Sequence, residues 1–554
     1  MFKLNVSKTS SKGFGIGKAF IPAEVNLDPE VYVVSSVDEE VSKLDDAIAK
    51  VKVELTELAA NNEIFEAHLM LLEDPALYDT IKSKIGDSNV QKAVKEATEE
   101  YATMLSMMDN EYMRERAADI RDIGASLLKK LKGITDNRFE NIFDETIIIA
   151  EDLTPSDTSR LDLNKVKGFA TELGGVTSHV SIMARNLSLP ALVGVGEELF
   201  KIKTGDFVII DAKKGEIIVN PDEKTIEEYK NLKKDFEEKE AKLKEVEQLE
   251  AVTNDGHKVL VCSNVGNVED IKNAVTHGID GVGLFRSEFL YMESNHFPTE
   301  EEQFLAYKEG VEVCKDEVII RTLDIGGDKA LSYYEFEPEE NPFLGYRAIR
   351  MCLDQKDMFK TQLRALLRAS HYGKVAIMFP MIISLDEIKQ SKALLEECKK
   401  ELDSENIPYN KDIKVGIMIE TPASVFMADE FAKYVDFFSI GTNDLTQYVL
   451  AVDRGNKSIS NLYNTFNPAV LRAINNIIKA GINNNIMVGM CGEFASDTRA
   501  IKILLGMGLH EFSVSYSAIG EVKYIIRNSS YEECKKLVEK VLACESTDEV
   551  LELL

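Results

Sequence analysis

The feature that most constrains this chain is a rhythm in its carboxy-terminal half. From residue 253 onward, short apolar runs recur at Val259–Cys262, Gly281–Phe285, Val318–Leu323, Val375–Pro380, Val415–Ile419, Asp436–Ile440, Ile486–Met490 and Phe512–Val514, mostly separated by helix-length segments. Runs this short, set between amphipathic stretches, read as strands covered on both faces. Eight of them alternating with helices predict a (β/α)8 barrel over 253–554.

Such a barrel gathers the carboxyl ends of its strands at one face, where ligands bind. Here those ends repeatedly carry ionisable residues. Arg286 ends the second run. Arg321 and Asp324 mark the third, which leads into Gly326-Gly327-Asp328-Lys329. Glu420 follows the fifth, Asn443-Asp444 the sixth, and Cys491-Gly492-Glu493 the seventh. Arg286, Arg321, Arg454 and Lys329 are cations in an acidic protein, and converging guanidinium groups grip a multiply charged anion such as a phosphate. Glu420 and Asp444 suit Mg²⁺, which takes one or two carboxylates and completes its shell with water and substrate. Asn443 can donate to the same anion. Cys491 is a candidate proton donor or acceptor, since a thiol with an ordinary pKa of about 8.5 is largely protonated at neutral pH.

The amino-terminal half reads differently. A strand and turn around Gly13-Phe14-Gly15-Ile16-Gly17 give way to helical periodicity from about 34 to 143, as in Val41–Leu58, Ile64–Glu73 and Val90–Leu131. At Thr146-Ile147-Ile148-Ile149 the pattern switches to a buried strand, and short strands and helices continue to about 220. This predicts a small α/β domain of 1–33 and 144–223, interrupted by a helical subdomain of 34–143. The Lys- and Glu-rich stretch 224–252 reads as a solvated linking helix. Within the α/β part, Gly174-Gly175-Val176-Thr177-Ser178-His179 places a histidine in the first turn of a helix. Free backbone N–H groups there favour an anion, and a neutral imidazole is a nucleophile at neutral pH.

Charge narrows the partners. A net charge of −30 and a pI near 4.8 disfavour non-specific nucleic-acid binding and docking to an anionic membrane. No apolar run is long enough to span a bilayer, and the start does not read as a signal peptide. The seven cysteines form no CxxC pair, which reads as reduced thiols in a cytoplasmic protein.

Taken as whole segments, these motifs resemble Enzyme I of the bacterial phosphoenolpyruvate–sugar phosphotransferase system. The segments are GGVTSHVSIMARNLSLPALVG at 174–194, DLTPSDT at 152–158 and IFEAHLMLLEDP at 64–75. In the barrel they are GVGLFRSEFLYM at 281–292, IIRTLDIGGDKALSYY at 319–334, NPFLGYRAIR at 341–350, GIMIETPAS at 416–424, DFFSIGTNDLTQYVLAVDRGN at 436–456 and GMCGEFASD at 489–497. The resemblance covers nearly the whole chain. It implies that His179 is the phosphorylated histidine. Arg286, Arg321 and Arg454 look like the phosphate-binding arginines, and Lys329 and Asn443 like further ligands of phosphoenolpyruvate (PEP). Glu420 and Asp444 resemble the Mg²⁺ ligands, and Cys491 the proton donor to the enolate of pyruvate. The histidine domain is expected to swivel, the helical subdomain to dock a histidine-containing phosphocarrier protein, and the barrel to mediate a homodimer. Met104, Met107, Met108 and Met113 are candidate contacts for that carrier. His68 resembles a family position but not a catalytic one.

The chain departs from the family pattern at Val176, where Arg is common before Thr-Ser-His, and at Ser332, where Pro is common. PEP synthases and pyruvate phosphate dikinases share the histidine domain and the barrel. They add a nucleotide-binding domain for which this sequence leaves no room, and they lack the helical insertion. A regulatory relative without catalysis would show decay at the site, whereas His179, Glu420, Asp444, Arg454 and Cys491 all stand.

Overall fold

The structure, a computed structural model, describes residues 1–554 apart from 7–8, 10, 24, 31, 60–62, 108–110, 135–137, 140–141, 159–160, 176–178, 188, 328 and 330. For 63–64, 66, 111–115, 179, 182 and 186 it describes the backbone alone. The chain divides into two units, Met1–Glu238 and Lys239–Leu554.

The first unit opens with β1 (Phe2–Asn5) and β2 (Phe14–Phe20). Among the described residues five helices follow: α1 (Val37–Ala59), α2 (Glu63–Leu72), α3 (Pro75–Lys84), α4 (Val90–Ser106) and α5 (Glu111–Leu131). The chain then returns to the sheet through β3 (Thr146–Ala150), α6 (Pro155–Thr158), β4 (Val166–Thr171), α7 (His179–Asn186), β5 (Ala191–Leu192), β6 (Phe207–Asp211) and β7 (Glu216–Val219). The strand order is β1-β7-β6-β2-β3-β4-β5, parallel from β2 to β5 and antiparallel at the other end. All of β3 is buried, which is why its sequence is a continuous apolar run and not an alternation. The five helices bury their own stripe of Leu44, Val51, Phe65, Val94, Ile120 and Leu127. Their ends follow ordinary rules: the Asp74 side chain accepts from Ala76 N–H ahead of a Pro at the start of α3, and Asn89 caps α4.

A helix α8 (Glu223–Glu247) carries the boundary between the units. Its last turn is tied down within the second unit. The buried ammonium of Lys523 donates to the carbonyls of Glu247, at 2.7 Å, and Gly278, at 2.5 Å.

The second unit begins with β8 (Leu260–Val265), α9 (Val268–Thr276), β9 (Val282–Arg286) and α10 (Glu288–Met292). The further strands are β10 (Val318–Arg321), β11 (Val375–Phe379), β12 (Lys414–Ile419), β13 (Phe437–Ile440), β14 (Met487–Met490) and β15 (Glu511–Val514). These eight parallel strands close on themselves, each paired with the next and β15 with β8. The expected multidomain α/β architecture with a carboxy-terminal (β/α)8 barrel is therefore observed. Outward residues such as Val261, Phe285, Ile377 and Phe438 pack under the helices, while Leu284, Ile319, Met378, Met418, Phe437 and Cys491 fill the interior. Among the described residues, no helix is long and apolar enough to cross a membrane.

Candidate active site

The register of the barrel strands decides what faces its mouth. Arg321 pairs in register with Arg286 on one side and Met378 on the other, so the ends of β9 and β10 present two guanidinium groups side by side. Arg286 is half-buried, and Arg321 is 7% exposed. An arginine this buried needs acids, and it has two. Nη2 donates to Glu288 Oε1 at 2.5 Å, and Nη1 lies 3.1 Å from Asp324 Oδ2. Lys329 Nζ reaches the same two carboxylates, at 2.8 and 3.4 Å.

Arg347 extends the network across the mouth. It is 2% exposed, bonds Asp324 at 2.9 Å, and lies 3.4 Å from Asp444. Asp444 sits in the first turn of the helix Thr442–Leu450, and Arg454 approaches it from solvent at 3.8 Å. The rings add shape, since Phe343 lies beneath both Arg347 and Arg454. Backbone strain gathers here as well. Ala348, next to Arg347, has φ +53°, and Met381 has φ +57°. Met381 in that left-handed conformation aims its N–H at Glu420 Oε1, 2.6 Å away.

The electrostatics follow from this packing. Asp324 is held well below the usual carboxylate range because Arg321 and Arg347 outweigh its burial. Glu288 is lowered too, since Arg321 and Lys329 overcome the cost of complete burial. Glu420 goes the other way: burial, with Asp444 and Asp324 nearby, pushes it up to about 8. Two buried carboxylates that repel each other are the donor set a hard divalent cation relieves, so Glu420 and Asp444 fit Mg²⁺. Burial also pushes the Cys491 thiol up to about 11. That thiol lies at the end of β14, 5% exposed, and Arg286, Arg321 and Glu420 all act on it electrostatically.

The structure thus brings Arg286, Arg321, Lys329, Glu420, Asp444, Arg454 and Cys491 to one face. Asn443 is at its edge, where its Oδ1 accepts from Glu493 N–H at 3.2 Å. Sequence reasoning did not single out Glu288 or Arg347, nor assign Asp324 a role. Their acidic and basic partners come from separate segments, so no local pattern announces them.

His179 belongs to the first unit, where it opens α7. Its side chain, and all of Val176, Thr177 and Ser178, lie outside the described residues. The helix is fastened at its start by Ser181 Oγ, which donates to Gly175 O at 2.6 Å, and on its flank by Thr158 Oγ1, 2.8 Å from Met183 Sδ. A buried chain links α6 to the helical subdomain. Ser156 donates to Asp122 at 2.8 Å, and His68 lies 3.8 Å from Asp122 and 3.1 Å from Asp119. His68 is 1% exposed and spans α2 and α5. Met104 and Met107 are exposed, as is Met70, whereas Met108 and the side chain of Met113 lie outside the described residues.

Comparison with known proteins agrees with this layout. Models of the PEP-utilising enzyme family match in three pieces: the N-terminal domain over 8–116, the mobile domain over 142–215 and the PEP-binding domain over 240–531. A phosphoenolpyruvate-protein phosphotransferase of Priestia megaterium is 47% identical, covering 98% of this chain and 97% of its own length. Those of Bacillus subtilis and Buchnera aphidicola are each 45% identical over 98% of this chain, covering 97% and 98% of their own. Matched in all three parts and along almost its entire length, the chain belongs to the phosphoenolpyruvate-protein phosphotransferase family.

Proposed function

We propose that this protein takes the phosphoryl group of PEP onto its own His179, releases pyruvate, and passes the group to a histidine-containing phosphocarrier protein that feeds sugar uptake. The observation that carries the reading is the barrel mouth. Three buried or half-buried cations, Arg321, Lys329 and Arg347, are interleaved there with Glu420 and Asp444 and stand beside a protonated thiol.

Arg286, Arg321, Arg454 and Lys329 bind the phosphate and carboxylate of PEP, with Asn443 donating at the rim. Glu420 and Asp444 would hold Mg²⁺, which would supply neutralisation of charge on the phosphoryl group. The neutral imidazole of His179, brought to the barrel mouth, attacks phosphorus in line. The N–P bond forms as the bond to the enolate oxygen breaks, and the enolate keeps that electron pair. Carbon 3 then takes the proton of Cys491, giving pyruvate. The thiolate regains a proton from solvent before the next turnover. The N–H groups at the start of α7 stabilise the phosphohistidine. The carrier docks on the helical subdomain, where Met104 and Met107 offer adaptable contacts, and its histidine accepts the group. The barrel mediates a homodimer, and the protein works in the cytoplasm.

The test is labelling with ³²P-PEP and Mg²⁺, comparing wild type with His179→Ala. An acid-labile, base-stable label on the wild type alone, chased onto added carrier, is the expected result. No label on the wild type would overturn the reading.

A further inference from the structure

We propose that Glu288 is a positioning residue of this site: it fixes the guanidinium of Arg321 and the ammonium of Lys329 in the orientation from which they grip the phosphate of PEP. The inference rests on the PEP reading above and adds to it a residue that makes no contact with the reacting atoms.

Glu288 is the first residue of α10 and is 1% exposed. One oxygen, Oε1, accepts from both Arg321 Nη2, at 2.5 Å, and Lys329 Nζ, at 2.8 Å. Its backbone is held in place by its neighbour: Ser287 Oγ donates to Arg321 O at 2.6 Å and accepts from Gln362 Nε2 at 3.0 Å. Gln362 in turn accepts from Leu323 N–H at 2.9 Å. The start of α10 and the end of β10 are therefore bonded into one rigid piece, and the carboxylate has little freedom.

Among the described residues, two buried atoms in this arrangement lack a partner, Arg321 Nε and Glu288 Oε2. A buried N–H left unpaired is costly, so it marks a place kept for something else. In a guanidinium, Nε and Nη2 share one edge and form a two-pronged donor. Glu288 bonds Nη2 and not Nε. Asp324 Oδ2 lies 3.1 Å from Nη1, which also donates to Met418 Sδ at 3.8 Å. The two acids thus hold the terminal nitrogens and leave the Nε donor unfilled, available to a phosphate oxygen.

A competing role predicts the opposite effect. If Glu288 were only a counter-charge, neutralising it would strengthen the binding of an anion. If it positions Arg321 and Lys329, neutralising it weakens binding even though an anion has been removed from the site.

The experiment uses the full chain with PEP, Mg²⁺ and carrier protein. Glu288→Gln is expected to raise KM for PEP about tenfold with kcat changed less than threefold, and Glu288→Asp to recover part of the loss. Transfer from phosphorylated carrier protein back to His179, which needs no PEP, should be unchanged in both. An unchanged or lowered KM in Glu288→Gln overturns the proposal. The wild type supplies a reading free of folding defects: the ¹⁵N–¹H signal of Arg321 Nε, assigned by its loss in Arg321→Lys, should move downfield when PEP is added. A signal that stays still also overturns it. If the wild type is not phosphorylated by PEP at all, the functional reading falls and this inference falls with it. If it is phosphorylated and KM is unmoved in Glu288→Gln, only this inference falls.

Discussion

At the scale of single residues, this protein uses burial to decide which groups carry protons. Cys491 is kept neutral by the interior that surrounds it, which suits an acid that must hold its proton until the enolate appears. With a pKa of about 11, its thiolate fraction at neutral pH is on the order of 10⁻⁴. Alkylation at Cys491, followed by peptide mass spectrometry, should therefore speed up about tenfold per pH unit toward 11. Cys491→Ala should lower pyruvate formation by roughly 10²-fold or more, the usual worth of a positioned proton donor, with PEP affinity unchanged by calorimetry. Glu511, inside the opposite end of the barrel, obeys the same logic without a catalytic purpose. Burial, then the charge of Glu317, raises it from 4.5 to about 7, while Lys414 opposes them. The folded protein binds that proton more tightly than the unfolded chain does. Stability is thus fully present below about 4.5 and is lost as pH rises toward 7. The loss should be roughly 3 kcal/mol. Glu511→Gln, which has no proton to lose, should flatten that part of the stability–pH curve in denaturant titrations between pH 4.5 and 7.

At the scale of elements, the site depends on how closely the loop after β14 approaches the helix Thr442–Leu450. A Cβ built on Gly492 would stand 1.8 Å from Thr442 Oγ1 and 2.6 Å from Thr442 N. Nothing there can yield without moving the turn that carries Asn443 and Asp444. Gly492→Ala should cost about 1–3 kcal/mol by overpacking and weaken Mg²⁺-dependent PEP binding, measured by calorimetry, without changing transfer between His179 and the carrier. The same strand ends explain what was legible in the sequence. Runs such as Val375–Phe379 and Val415–Ile419 are apolar without alternation because helices cover one face and the barrel core the other. Their polar terminators stand out for that reason, and Arg321, Glu420 and Cys491 could be read directly. Glu288 and Arg347 could not. Each looks like an ordinary charged residue in a helix or loop, and becomes a site residue only because β9, β10 and the helix Thr442–Leu450 bring Arg321, Asp324 and Asp444 to it. The helical insertion was legible as helices, but the chain His68–Asp122–Ser156 that ties α2 and α5 to α6 was not, since its members lie far apart in sequence.

At the scale of the whole molecule, the two proposed chemical tasks belong to different units. The cations, the two carboxylates suited to Mg²⁺ and the thiol all lie in 239–554, and His179 lies in 1–238. Each unit has its own core. The two half-reactions should then be separable by mutation. Glu420→Gln keeps the shape of the buried side chain but removes one of the two carboxylates suited to Mg²⁺. This variant should lose labelling by ³²P-PEP by at least about 10²-fold, in line with loss of a catalytic metal's ligand. Incubated instead with phosphorylated carrier protein, it should acquire an acid-labile label on His179 at the wild-type rate. Loss of both half-reactions in a variant that still unfolds cooperatively would mean that the barrel does more than bind PEP, and that the state of its mouth reaches the histidine domain through α8. Loss of the PEP half alone would show that the two units share a phosphoryl group and nothing else.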